Sequence, residues 1–123
     1  MKLQTQIHKL DADKKLVFGF ASAADTVDSH GDIISADELE RAAYDFVINS
    51  RAGHEMHNGK KIADLVESFF ISADKAQLLG LTHHVGHWWI GFHINDDDVW
   101  DKIKNGTYSM FSIGGRARRI ENE

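Results

Sequence analysis

The pattern of apolar and polar positions along the chain predicts β-strands with a few inserted helices. Residues 16–21 are a run rich in branched and aromatic side chains, which favour strands, and residues 62–71 are a further strand candidate. Residues 88–94 carry large apolar groups on both alternating faces, which predicts a strand buried on both sides. One face holds Trp88, Ile90, Phe92 and Ile94, and the other holds Trp89, Gly91 and His93.

The first helix is predicted to begin at Ser35. Ser35 and Glu38 have the spacing of a capping box, in which each side chain accepts a hydrogen bond from the other residue's backbone N–H. An apolar stripe with the period of one helix face follows. We expect this helix to end between residues 50 and 53. The stripe consists of Leu39, Ala42, Ala43, Phe46 and Val47.

A second helix is predicted by an acidic run followed by an apolar face. Residues 95–98 read Asn-Asp-Asp-Asp, and carboxylates favour a helix start because they interact with the positive end of the helix dipole. Val99, Trp100 and Ile103 then fall on one side, and Gly106 is a typical stop. We expect this helix to lead directly into an apolar strand around residue 112.

The composition is that of an ordinary globular chain. At 123 residues, with 42% hydrophobic and 27% charged residues, the chain is large enough to bury one core. It has no proline, and no repeat or low-complexity segment marks a boundary. We therefore expect one domain over residues 1–123, mainly β with flanking helices.

Charge and residue types exclude several classes of function. A formal net charge of -5 argues against a general nucleic-acid binder, which needs a basic face. No stretch has the length and apolarity of a membrane span, and the N-terminus lacks the apolar core of a signal peptide. Cysteine is absent, which excludes disulfides and thiolate metal sites and suits a reducing cytoplasm. No cofactor is expected.

The segment most indicative of chemistry is residues 110–116, Met-Phe-Ser-Ile-Gly-Gly-Arg. Strand alternation puts the Ser112 hydroxyl on a defined face, either buried against a partner or directed into a site. A serine hydroxyl is a weak nucleophile until a neighbouring base takes its proton, and histidine is the usual base near neutral pH. His54 and His57, in a stretch expected to be a loop, are the candidate bases.

Several segments together resemble the prohead (capsid maturation) proteases of tailed phages, and most closely the XkdF-like phage serine proteases. No single segment is specific, but their order and spacing extend over most of the chain. The matching segments are residues 27–34 (VDSHGDII), 39–46 (LERAAYDF), 55–57 (EMH), 65–69 (LVESF), 88–92 (WWIGF), 99–106 and 110–115 (MFSIGG).

The resemblance implies a closed or nearly closed β-barrel with two or three helices, of the type shared with herpesvirus assemblin proteases. It also implies that Ser112 is the nucleophile and His57 the general base, and His54 is the alternative base. Ser112 would attack the scissile carbonyl, His57 would take and return the proton, and water would release the acyl-enzyme.

The third catalytic member is less defined. Assemblin uses a second histidine that follows the serine, but no histidine follows Ser112 in this chain. An orienting group must then come from upstream or be absent. Asp64 and Glu67 are the candidates, although an acidic side chain in such a place is more often solvated.

The residues after Ser112 could bind the developing oxyanion. Gly114 and Gly115 permit close approach of the backbone, and Arg116 or Arg118 could hold charge or a water molecule nearby. The ordinary alternative for the two arginines is a basic edge on the protein surface.

The resemblance also implies partners and a location. The substrates would be the phage scaffold and major capsid proteins, and the enzyme could cleave itself. Its compartment would be the procapsid in the bacterial host cytoplasm, without nucleic-acid or membrane partners, and a homo-oligomer is left open. The chain ends eleven residues after Ser112, from which we expect a trimmed or self-processed product.

Two other functions are compatible with the sequence. One is an assembly module with the protease fold but no activity, in which Ser112 and His57 would not converge. The other is metal binding, since eight histidines are many and neutral imidazoles bind zinc or nickel. Metal binding is the weaker alternative because no His-Glu-x-x-His pattern is present. The candidate ligands are His54, His57, His83, His84 and His87.

Overall fold

The computed structural model describes residues 3–23, 35–55 and 59–113, which form a closed antiparallel β-barrel with three α-helices. The order of strands around the barrel is β1-β2-β5-β4-β3-β6, and β6 closes it by pairing with β1. The predicted fold class is confirmed. The elements are β1 (Leu3–Asp11), β2 (Leu16–Ala23), α1 (Ala36–Asn49), β3 (Ala52–His54), β4 (Lys61–Phe70), α2 (Ala73–Leu79), a 3-10 helix (Thr82–His84), β5 (Trp88–Ile94), α3 (Asp97–Lys104) and β6 (Met110–Ile113).

The strand β5 supplies much of the hydrophobic core. It lies between β2 and β4 and pairs with both along its length. Its first face is fully buried, as predicted, and consists of Trp88, Ile90, Phe92 and Ile94. The opposite face is only partly covered, because Trp89 and His93 stay half-exposed while Gly91 is buried. The prediction of burial on both sides is therefore right for one face and only partly right for the other.

The helix α1 begins with the predicted capping box. The Ser35 hydroxyl accepts a hydrogen bond from the Glu38 backbone N–H at 3.1 Å, and the Glu38 carboxylate accepts one from the Ser35 N–H at 3.1 Å. The apolar stripe packs against the barrel core through Phe46, whose ring meets Trp88 and Phe92 edge-on at centroid distances of 5.7 and 6.0 Å. The local cap and the long-range packing thus favour the same helix.

The end of α1 turns the chain directly into β3. Arg51 has a φ of 62°, a left-handed conformation that stops the helix, and its N–H donates to the Phe46 carbonyl at 3.0 Å. The Arg51 carbonyl in turn accepts from the Leu65 N–H at 3.0 Å. Arg51 therefore connects the end of α1 and the start of β3 to β4.

The helix α3 is confirmed and leads toward β6. The Asp96 carboxylate caps it by accepting from the Val99 N–H at 3.0 Å. Its buried face holds Val99, Trp100 and Ile103, which are 3%, 4% and 4% exposed. After the helix, the Tyr108 N–H donates to the Lys102 carbonyl at 3.0 Å, which sets the direction of the following strand.

Among the described elements, β1, α2, β3 and the 3-10 helix were not predicted from the sequence. β1 pairs with both β2 and β6 and has a bulge between Ile7 and Lys9 that interrupts its alternation. α2 is a short helix capped by Ser72 and ended by Gly80. β3 occupies a stretch expected to be a loop. None of the helices in the described ranges has the length and apolarity needed to cross a bilayer.

The burial of Trp100 predicts a large loss of stability when its side chain is removed. Trp100→Ala should lower the free energy of unfolding by about 3–5 kcal/mol, since it removes apolar contacts and leaves a cavity. Denaturant unfolding measures this difference. Asp101→Ala, an exposed change in the next residue, is the control and should stay within about 0.5 kcal/mol of the parent. Equal losses in the two variants would contradict the packing of α3.

Candidate active site on the outer face of the barrel

Ser112 lies on β6, which runs between β1 and β3. Its neighbour Ile113 is fully buried while Ser112 is half-exposed, so strand alternation directs the Ser112 side chain to the outer face. Its direct register partners are Gln4 on β1 and His54 on β3. Residues opposite each other on neighbouring strands share a face, with Cβ atoms about 4.5–5.5 Å apart. The fold therefore places a serine beside a histidine.

His54 is held in a strand, which corrects the expectation that it lies on a freer loop. The preceding Gly53 pairs with Ala63 on one side and with Ile113 on the other. Between Gly53 and His54 the register with β4 shifts, so that His54 faces Lys61 and the pairing skips Ile62. Such bulges redirect side chains and are frequent next to active sites.

The predicted base His57 and several other predicted site residues lie outside the described residues. The described ends of the segment that carries His57 are joined by hydrogen bonds. The Glu55 N–H donates to the Lys60 carbonyl at 2.8 Å, and the Gly59 N–H donates to the Glu55 carbonyl at 3.0 Å. The roles of His57 and of the residues after β6 stay predictions. Those later residues are Gly114, Gly115, Arg116 and Arg118.

Lys60 fastens this segment to the start of α3. Its ammonium lies 2.9 Å from the carboxylate of Asp96, the cap of that helix. The hydrogen bond raises the pKa of Lys60 and lowers the pKa of Asp96. The Asn95 N–H also donates to the Ile62 carbonyl at 2.7 Å, so backbone and side chain both tie the start of β4 to the turn before α3.

Asp64 and Glu67, the predicted candidates for a third catalytic member, hold other partners. The Asp64 carboxylate lies 3.0 Å from the Lys61 ammonium and accepts from the Asn95 amide at 2.9 Å. These two hydrogen bonds, that from Lys61 first, lower the pKa of Asp64. In register Asp64 faces Ala52 and not His54. Glu67 accepts from the Trp89 indole N–H at 3.0 Å, farther along β4. Their catalytic role stays a prediction.

Sequence reasoning missed a tyrosine–carboxylate pair that joins the residue after β3 to the chain before β6. The Tyr108 hydroxyl donates a hydrogen bond to the Glu55 carboxylate. Glu55 directly follows β3, and Tyr108 stands two residues before β6. The bond raises the pKa of Tyr108, because ionisation would put a phenolate next to a carboxylate. No local sequence signal links the two residues, since 53 positions separate them.

Two of the three histidines proposed as metal ligands after residue 80, His84 and His87, take part in an aromatic cluster. The rings of His84 and His87 lie 5.6 and 5.1 Å from the ring of Phe20, and the Trp89 ring lies 5.3 Å from it. Across the described ranges, no three histidine or acidic side chains lie close enough together to hold a metal ion.

An apolar cavity of about 320 Å³ adjoins this cluster. It lies against β2, β4 and β5, and β5 is three positions from β6 in the six-strand order. The cavity is therefore on the opposite side of the barrel from Ser112 and is separate from the serine–histidine pair. Its lining residues are Phe20, Phe69, Ile71, Leu81, His84 and Trp89.

A barrel that sets a serine and a histidine side by side on its outer face has two of the groups that a serine hydrolase uses. A family model described as "Putative phage serine protease XkdF" matches residues 4–121. The chain belongs to this family. No solved structure matches it.

Two proteins of Bacillus subtilis (strain 168) are similar to the chain. "Uncharacterized protein YqbD" is 34% identical over 112 residues, which cover 90% of this chain and 34% of YqbD. "Phage-like element PBSX protein XkdF" is 31% identical over 114 residues, which cover 90% of this chain and 40% of that protein. The chain thus spans well under half the length of these relatives.

The tyrosine–carboxylate bond predicts an unusual titration. The chain has two tyrosines, so in Tyr44→Phe the tyrosinate absorbance reports Tyr108 alone. We expect a midpoint above the ordinary tyrosine pKa of about 10. Because the folded-state pKa is raised, the bond's contribution to stability is fully present below about pH 10 and is lost as pH rises through the raised value. Adding Glu55→Gln should lower the midpoint, and an unchanged midpoint would contradict the bond.

Proposed function

We propose that this chain is a serine endopeptidase of phage capsid maturation, with Ser112 as its nucleophile. The observation that carries the proposal is the pairing of Ser112 with His54 on the outer face of the barrel. Membership of a family described as phage serine proteases supports the same reading. The site is on the surface, where a peptide segment of another protein can reach the serine.

In the proposed mechanism a histidine removes the proton from the Ser112 hydroxyl as its oxygen attacks the scissile carbonyl. The histidine then gives the proton to the leaving amine, and water releases the acyl-enzyme. We assign the role of general base to His57, because the family resemblance implies that the histidine at this position is the base. His54 is the alternative, because a base must come within about 2.6–3.2 Å of the hydroxyl or be able to close to it, and His54 stands opposite Ser112.

The proposed substrates are the scaffold and major capsid proteins of a phage particle. Cleavage would take place in the procapsid in the bacterial host cytoplasm, and self-cleavage belongs to the same proposal. The phage context is supported by the name of a relative, a protein of the phage-like element PBSX. Neither nucleic acid nor membrane is part of the proposed reaction.

Ser112→Ala tests the nucleophile. The substitution removes one oxygen from a half-exposed position, so the melting temperature should change little while peptide cleavage and labelling by a fluorophosphonate probe are lost. Ser109→Ala, an exposed serine just before β6, is the matched control and should still be labelled. Cleavage by purified Ser112→Ala would remove Ser112 from the mechanism. A parent protein that neither cleaves nor labels would indicate an assembly module without activity.

A pair of histidine variants tests the base. His57→Ala should lower cleavage by orders of magnitude, whereas His54→Ala should keep most of it. The rate of probe labelling in the parent should rise with pH through one ionisation near the ordinary histidine pKa of about 6.5, and this dependence should disappear in His57→Ala. If His54→Ala is the inactive variant instead, the base is His54 and the family position has been transferred to the wrong histidine.

A further inference from the structure

The alignment of Ser112 with His54 depends on a short junction between strands. In the described residues β3 and β6 are joined at two register positions, Gly53 with Ile113 and His54 with Ser112. β1 and β2, in contrast, pair along almost their whole lengths. The described part of this junction has few backbone hydrogen bonds to resist sliding or opening. One of these two register positions is the His54–Ser112 pair, which carries the candidate catalytic groups.

A side-chain bond also connects the chain just after β3 with the chain just before β6. The Tyr108 hydroxyl donates to the carboxylate of Glu55, the residue that follows His54. A hydrogen bond to a charged acceptor is among the stronger ones that side chains make. It connects the end of β3 to the chain that enters β6.

Both partners of this bond are themselves fixed to the rest of the fold. The Tyr108 N–H donates to the Lys102 carbonyl at 3.0 Å, and the Lys102 ammonium lies 5.2 Å from the centre of the Tyr108 ring. The next residue, Ser109, accepts from the Ile7 N–H at 2.8 Å. Glu55 is held by its backbone hydrogen bonds with Lys60 and Gly59. The Tyr108–Glu55 bond therefore joins two residues that other hydrogen bonds already hold in place, so it can keep β3 and β6 aligned.

We propose that Tyr108 is a positioning residue that, through its hydrogen bond to Glu55, holds the end of β3 in line with β6 and so keeps Ser112 aligned with the segment that begins at His54 and carries both candidate bases. The catalytic part of this inference rests on the proposed serine protease function. Tyr108 need not touch the substrate in this role. Its effect passes through the alignment of the two strands.

Tyr108→Phe tests the proposal because it removes the hydroxyl and keeps the ring that packs near the core and under Lys102. We expect kcat for peptide cleavage, and the rate of fluorophosphonate labelling of Ser112, to fall about 10- to 100-fold, the size of effect that a misplacement near 1 Å can have. KM should stay unchanged, since the substrate-binding surface is intact. Tyr44→Phe makes the same chemical change on exposed α1 and should label like the parent.

Hydrogen exchange tests the alignment without any reference to activity. Alternation along the antiparallel ladder makes His54–Ser112 the hydrogen-bonded pair of the β3–β6 junction. The amides of His54 and Ser112 should therefore exchange at least about fivefold faster in Tyr108→Phe, which corresponds to the loss of about one hydrogen bond in local opening. Glu55→Ala should give the same increase, whereas Glu55→Gln keeps an acceptor oxygen and should restore slow exchange. Amides of the β2–β5 pair should not change in any of these variants.

The outcomes separate this proposal from the proposed function. Unchanged exchange at the β3–β6 junction in Tyr108→Phe overturns the positioning role, and so does labelling at the parent rate. If the parent protein itself neither cleaves nor labels, the protease function fails. In that case the exchange measurement alone decides whether the Tyr108–Glu55 bond aligns the strands.

Discussion

Closure of the barrel by β6 is the constraint on which the structure depends. This strand of four residues pairs with β1 on one side and β3 on the other, and so satisfies the backbone groups that would otherwise form two open sheet edges. Its Ile113 is fully buried in the core, while the adjacent Ser112 points outward. The same strand therefore completes the core and presents the serine, so a change that opens the barrel also separates Ser112 from its neighbours.

Strand register contributes more to the arrangement of the site than the charged pairs around it. Both partners of the Lys61–Asp64 pair are more than half exposed, and in the Lys60–Asp96 pair the lysine is. Such surface pairs contribute between zero and about 1 kcal/mol each. Register, by contrast, is fixed wherever one face of a strand is buried, because a slip of one residue would expose every buried side chain. Ile113 and Ala63, both fully buried, impose this condition on β6 and β4.

The sequence alone predicts those elements whose signals, such as helix caps or the spacing of apolar residues, lie within the element itself. α1, α3 and β5 carry their own caps or alternation, and they appear where the pattern predicts them. β3 has no such signal, since Ala-Gly-His contains no residue that favours strands. It is a strand because β4 and β6 bind it from both sides, and those partners are distant in the sequence.

In the candidate site, too, the sequence predicts individual residues but not the contacts that depend on strand pairing. From the sequence, Ser112 is predicted as the nucleophile and His57 as the base, with His54 as the alternative. That His54 faces the serine depends on the register of β3 with β6, since a shift of one residue reverses the face of a strand. The Tyr108–Glu55 bond is equally invisible in the sequence, because it exists only after β3 and β6 have met.

The register of β1 with β6 has a consequence for when the site can form. Leu3 is paired with Ile113, so the contact that closes the barrel joins residues from nearly opposite ends of the described chain. Contacts of such long sequence separation form late in folding, because the entropy of closing the intervening chain must be overcome first. On the ribosome, β1 has to wait until almost all of the described chain has emerged. The Ser112 site therefore cannot assemble before β6 has emerged.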